Sequence, residues 1–281
     1  MAQLFETCFR MDPGFDFVLM TSGGIVASIV TYYIRPDPFK KPERLKNKQY
    51  KLTLVEWLLI SALIIVTLTN IVLRFIKGVP YWLVQPCHLA SFLLIYVVIF
   101  AEHDTNLFHY YYYSVWMPVI GLLSPPNASW FTWWWEPHNF YVHHLLLLGI
   151  AYYYLFINHR FHPHLDTASA PPAHYMVDHI TDASRRFKFF NHLFGYGVIY
   201  HTTFLTYLGL WLDEDFDAMR CRFGGGEIFG IHWREALMVL CYIASIIFVW
   251  IPDVIVHRTF KAKNKQLANK HQDSRSYQKM K

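Results

Sequence analysis

A cysteine and a histidine stand side by side, Cys87 and His88, near the start of the apolar run from Tyr81 to Phe100. Polar groups inside hydrocarbon are costly unless paired, so a thiol and an imidazole together in a membrane-length run require a reason. Free cysteine is also a small hydrophobe and is among the most often buried residues, so Cys87 alone reads as packing. What raises it above packing is a set of histidines in other apolar stretches: His143 and His144 within Phe140 to Leu148, and His192 and His201 further on. An intramembrane ionisable residue is a functional hypothesis by default. The remaining histidines, His109 and His257 among them, fall in loops or at interfaces, where solvation accounts for them.

Cysteine plus histidine is the smallest set that performs acyl transfer. The thiolate attacks an ester, and the imidazole carries the proton to and from the alcohol. Pro86 lacks an amide proton and disturbs the helix start, which would leave nearby backbone groups to bind an oxyanion, with Gln85 as a second donor or an interfacial cap. His88, His143 and His201 are weaker candidates for lining or orienting, and for His201 a satisfied core histidine is the simpler expectation. A metal or haem protein is the first rival. No His-Glu-x-x-His or comparable ligand spacing occurs, so no metal and no cofactor are expected, although axial histidines facing each other across a bundle would hold haem. A seven-helix receptor or channel is the second rival, and it would need intramembrane charges. The spans carry few acids, with Glu56 and Asp253 near helix ends.

The elements that must position these residues follow from composition. The 281 residues are 54% hydrophobic and 19% aromatic with only 16% charged, too apolar for a soluble domain. The chain therefore reads as an all-α polytopic membrane bundle. Windows long enough for a bilayer fall near 17–34, 54–75, 81–101, 107–123, 138–158, 189–212 and 236–256. The fourth window is tyrosine-rich and interrupted by Pro118, which suits an interfacial helix as well as a span. Lys and Arg crowd the first connection and the tail after 256, so seven crossings put the N-terminus in the lumen and the C-terminus in the cytosol. Residues 1–260 then form the membrane domain, and 261–281 a disordered basic tail. The net charge of +5 belongs to topology, and no nucleic acid is implied. Cys8, Cys87, Cys221 and Cys241 show no Cys-x-x-Cys spacing; one disulfide, Cys8 with Cys221, is compatible with this topology. The first span follows no basic start and no small-residue cleavage site, so it is expected to stay in the mature protein. Asn127-Ala128-Ser129 fits a glycosylation sequon in a tryptophan-rich loop held close to the bilayer.

Depth links the chemistry to the bundle. Counted from Tyr81 and from His138 at one membrane face, Cys87 and His144 each lie six residues in, about 9 Å at 1.5 Å per residue. If the third and fifth helices are neighbours, thiol and imidazole meet. His201 sits deeper, about 16 Å by the same rise.

At these residues the chain resembles the transmembrane protein 164 family, itself distantly akin to a bacterial integral membrane family. Gln85-Pro86-Cys87-His88-Leu89 is similar to the family's Asn-Pro-Cys-His-Leu, and Tyr141-Val142-His143-His144 to its Tyr-Ile-Gln-His. Tyr200-His201 and Leu208-Gly209-Leu210, followed by an acidic loop to Cys221, resemble its Tyr-His, Leu-Gly-Leu and Leu-Cys. The likeness runs in order over about 53–256. Gln85 stands where the family has asparagine, His143 where it has glutamine, and Arg222 where a proline follows the cysteine. The resemblance implies an acyltransferase that moves polyunsaturated chains from diacyl phospholipid to lyso-ether phospholipid without acyl-CoA, with Cys87 as nucleophile and His144 as its partner. The implied partners are phospholipid, lysophospholipid and the bilayer itself, and the implied location is the endoplasmic reticulum or Golgi membrane.

Overall fold

The computed structural model describes residues 13–35, 50–101, 105–126, 130–161, 183–212, 216, 228–229 and 233–259. All secondary structure among them is helical, in seven rods. The expectations for Cys8, Cys221, Asn127, the basic first loop and the tail 261–281 lie outside the described residues.

The first rod is α1 (Pro13–Tyr33). Next comes α2 (Leu54–Ile76), started by a capping box in which the Thr53 hydroxyl accepts from the Glu56 amide and the Glu56 carboxylate accepts from the Thr53 amide. It ends where Gly78 takes φ +71°, a conformation that costs glycine nothing. The third apolar run is not one helix. Pro80–Val84 forms a 3₁₀ turn, and α3 (Pro86–Phe100) begins only at Pro86, because proline brings a helix-ready φ and has no amide to leave unsatisfied. Cys87 is thus the second residue of its helix and not the seventh of a longer one.

The fourth rod is interrupted, as Pro118 leads one to expect. α4 (Thr105–Tyr112) and α5 (Trp116–Leu123) are separated by a turn at 113–115. The ring of Pro118 cannot sit over the Ser114 carbonyl in a regular helix, which places the break there. Tyr110 is exposed, but the three tyrosines after it face the core. Tyr111, Tyr112 and Tyr113 are fully buried. Their hydroxyls reach the Leu147 carbonyl at 2.5 Å, the Val249 carbonyl at 2.8 Å and Asp253 at 3.2 Å, so buried aromatic area comes without orphaned polar groups.

α6 (Glu136–Phe156) packs on α2, α3 and α5. The sixth rod runs through α7 (Ala183–Ile199), a π-helical stretch at Tyr200–Leu205 and α8 (Thr206–Leu212). The seventh is α9 (Trp233–Ser245), continued through a π-helical stretch to 259. α1 lies along α7, where His192 Nδ1 donates to the Thr31 carbonyl at 2.9 Å, a satisfied core histidine. Three helices, Leu54–Ile76, Glu136–Ile157 and Arg234–Thr259, are long and apolar enough to cross a membrane, and Val18–Tyr33 and Pro86–Phe100 are shorter apolar helices. Leu89, Phe92, Tyr96 and Phe100 leave α3 with an exposed oily stripe, as a helix facing lipid requires.

Two histidines expected at interfaces are buried instead. His109 is 1% exposed and His257 is 4% exposed. His257 Nδ1 lies 3.2 Å from Oδ1 of Asp253, which is fully buried with Arg186 Nε 3.0 Å from its Oδ2, and His109 is within electrostatic range of the same carboxylate. A charge can stay in a core only when it is paired this way.

Candidate active site

α3 and α6 are neighbours, and their contact carries the site. The Cys87 sulfur and one ring nitrogen each of His143 and His144 all lie within 4.8 Å of one another. His143 and His144 are 1% and 3% exposed, while Cys87 is partly accessible. The starting point of the depth count was wrong for both helices, since they begin at Pro86 and Glu136. The sulfur and the imidazoles meet all the same.

Hydrogen bonds fix which nitrogens are available. His144 Nδ1 lies 2.8 Å from the Phe140 carbonyl, which can only accept, so Nδ1 carries the proton and Nε2 presents its lone pair. Ser91 donates its one proton to the Cys87 carbonyl at 2.8 Å, and its oxygen is 2.5 Å from His143 Nε2. The imidazole must therefore supply the proton of that second bond, which leaves His143 Nδ1 as acceptor. Ser91 joins nucleophile and histidine. No sequence signal singled it out, because one serine in an apolar helix usually bonds back to its own turn.

Position along the helix matters for the thiol. Cys87 sits in the first turn of α3, where unpaired amides favour negative charge. The amides of His88 and Cys87 both lie beside the Cys87 sulfur, and the His88 amide also returns to the Gln85 carbonyl at 3.0 Å.

The weaker candidates separate. His88 stacks on His143 with ring centroids 5.5 Å apart, and both of its buried ring nitrogens lack a hydrogen-bond partner among the described residues. Gln85 is engaged elsewhere: its amide donates to the Phe216 carbonyl at 3.0 Å, fastening the helix start to Phe216. His201 is not brought to the cluster and packs 6.0 Å from the Trp116 ring.

The end of α2 closes this side. Lys77 Nζ lies 2.5 Å from Glu136 Oε2, and Asn139 donates to Asn70 at 2.8 Å, which pins the start of α6 to α2. Arg74 stands in the last turn of α2, its guanidinium 5.4 Å from the centre of the Trp82 ring and within electrostatic range of Cys87, His88 and His143. Sequence reading passed over Arg74, although a lone cation in an apolar helix is the available signal.

The family model described as TMEM164 family matches residues 15–252. The chain belongs to the TMEM164 family. No curated protein and no solved structure matches it. In this TMEM164 family member the cysteine, both histidines, Ser91 and Arg74 all fall inside the matched region.

Proposed function

We propose that this protein is a membrane acyltransferase that moves polyunsaturated chains from diacyl phospholipid to lyso-ether phospholipid through a thioester on Cys87, with no acyl-CoA. The observation that carries this reading is the meeting of a thiol at a helix start with two imidazoles whose lone pairs are defined by their hydrogen bonds. Cys87 Sγ passes its proton to His144 Nε2 and attacks the acyl carbonyl. The ester C–O bond then breaks, the imidazolium protonates the leaving lyso-lipid oxygen, and the thioester remains. In the second half the acceptor hydroxyl gives its proton to His144, its oxygen takes the acyl group, and the thiol is restored. Donor and acceptor use the same pocket in turn. The bundle crosses the bilayer seven times, N-terminus lumenal and C-terminus cytosolic, in a membrane of the endoplasmic reticulum or Golgi, and this suits lateral entry of lipids.

The test follows a labelled polyunsaturated chain from phosphatidylcholine to a lyso-ether acceptor in membranes without acyl-CoA. Transfer by wild type that His144→Ala removes at equal expression supports the reading, and no transfer by wild type would sink it. A subtler variant checks the geometry. A Cβ on Gly121 would lie 2.7 Å from His144 Nε2, and the Phe140 bond leaves that ring little room to retreat. Gly121→Ala should fold and lower transfer by roughly 10-fold or more, since misplacement of about 1 Å can cost far more than that. Undiminished activity would mean that His144 is not the proton carrier.

A second reading has one observation behind it. Cys87, His143 and His144 form a sulfur and two-nitrogen set of the kind that binds zinc with an open position. Motif spacing offered no metal site because the ligands come from two helices and only folding unites them. Their spread of up to 4.8 Å exceeds the roughly 3.4 Å between ligand atoms of a tetrahedral zinc site, so the set would have to draw together. This reading expects close to one equivalent of zinc in purified protein, lost in His143→Ala. Protein that is active and carries only traces of metal excludes it.

A further inference from the structure

We infer that Arg74 is the phosphate-binding residue of this protein, holding the phosphodiester of the glycerophospholipid whose ester lies over Cys87; the second half of that statement rests on the acyl-transfer reading. α2 contains two charged residues, Glu56 at its start and Arg74 in its last turn. Arginine near a helix end often serves only the helix dipole or the headgroup layer, reaching outward along its stem. Arg74 turns inward: its guanidinium lies over Trp82, which is 6% exposed, and the electrostatic neighbours of the group are Cys87, His88, His143 and Glu136.

Among the described residues no carboxylate pairs with it. Glu136 is committed to Lys77 at 2.5 Å through Oε2 and to the amides of Thr132 and Trp133 at 3.2 Å through Oε1. None of the ion pairs and side-chain hydrogen bonds among the described residues includes the Arg74 guanidinium. A part-buried planar cation with five donors, held over Trp82 within electrostatic range of Cys87, is therefore left among the described residues to meet an anion supplied by a ligand. Guanidinium pairs with phosphate oxygens two at a time, and phosphate is the group shared by every glycerophospholipid whatever its headgroup or chains. The levels agree as well. Arg74 stands at the end of α2 and Cys87 in the first turn of α3, so a phosphate on the guanidinium leaves the glycerol esters to reach inward toward the sulfur.

The experiment uses full-length protein in neutral detergent. Equilibrium binding is measured on a Cys87→Ala background, so that no acyl group moves, with three probes: dioleoyl phosphatidylcholine, dioleoylglycerol and inorganic phosphate. Arg74→Gln should weaken phosphatidylcholine binding roughly 10- to 100-fold, the range of a charge-assisted hydrogen-bonded pair, and leave dioleoylglycerol unchanged. Equal binding of phosphatidylcholine with and without Arg74 overturns the inference and makes the arginine structural. Inorganic phosphate that binds at Arg74 more tightly than the lipid overturns the lipid assignment. In the transfer assay with Cys87 intact, Arg74→Gln should raise KM for the phospholipid donor by a similar factor with kcat nearly kept, as expected for uniform binding, and Arg74→Lys should fall between. If Arg74→Gln does not fold, the Arg74→Lys donor KM decides, and a value equal to wild type overturns the inference. Arg74-dependent lipid binding in a protein that transfers nothing would keep the phosphate site and remove the acyl-transfer reading. Full transfer with an unchanged donor KM in Arg74→Gln would do the reverse.

Discussion

Replacing Cys87 with alanine should reduce acyl transfer by on the order of 10³-fold or more, the loss expected when a covalent nucleophile is removed from a site whose parts act together. The protein itself should remain intact. The change deletes one sulfur at a partly accessible position in the first turn of α3, and the elements that set this turn are retained: Pro86, the Gln85 bond to Phe216 and the Ser91 bond to the Cys87 carbonyl. The direct readout is covalent. Wild type incubated with labelled phospholipid in the absence of acceptor should accumulate a hydroxylamine-labile acyl adduct, and Cys87→Ala should show none. His144→Ala should form the adduct slowly, because general acid–base help is worth roughly 10²- to 10⁴-fold. Transfer at wild-type rate by Cys87→Ala would exclude Cys87 as the nucleophile.

How much of this was legible beforehand depends on which physics set each feature. The meeting of Cys87 with His144 was accessible from sequence, because helical rise converts position into depth; that His143 joins them was not. Nor was the point where those helices start. The run from Tyr81 to Phe100 is uniformly apolar, and hydropathy cannot tell a helix from a 3₁₀ turn; only Pro86 carried the boundary. The tyrosines of α4 misled for a related reason. Tyrosine is amphipathic, so a run of it looks interfacial until each hydroxyl finds a buried carbonyl or carboxylate, and those partners come from α6 and the last rod, remote in sequence. Ser91 was invisible for want of a pattern. Arg74 was visible as a lone charge in α2, yet only its inward aim over Trp82 separates it from an ordinary interfacial anchor.

Glu56 supplies the largest expected effect on stability, and it lies at the other end of α2. Its Oε2 accepts from Tyr50 at 2.9 Å and from the amide and hydroxyl of Thr53 at 2.8 Å each, while Oε1 accepts from Tyr154 at 2.8 Å and lies 3.7 Å from Arg160 Nη1. Arg160 in turn donates to the Val98 carbonyl at 2.9 Å and covers the Tyr50 ring at 4.1 Å. One carboxylate, 1% exposed, thus ties the start of α2 to α3, α6 and the segment after α6. Glu56→Ala deprives a buried guanidinium of its carboxylate, costing about 3–5 kcal/mol, and removes a capping box worth about 1 kcal/mol. Unfolding followed by tryptophan fluorescence in detergent should then shift down by on the order of 10 °C. Glu56→Gln keeps an acceptor and the side-chain volume but not the charge, and should fall between. The active site should be spared. Glu56 and Arg74 are 18 residues apart along α2, about 27 Å at 1.5 Å per residue, so at temperatures where Glu56→Ala is folded its transfer rate and donor KM should match wild type. An unchanged melting temperature would mean that the network contributes little net stability, and loss of transfer in a folded Glu56→Ala protein would mean that the two ends of α2 are coupled.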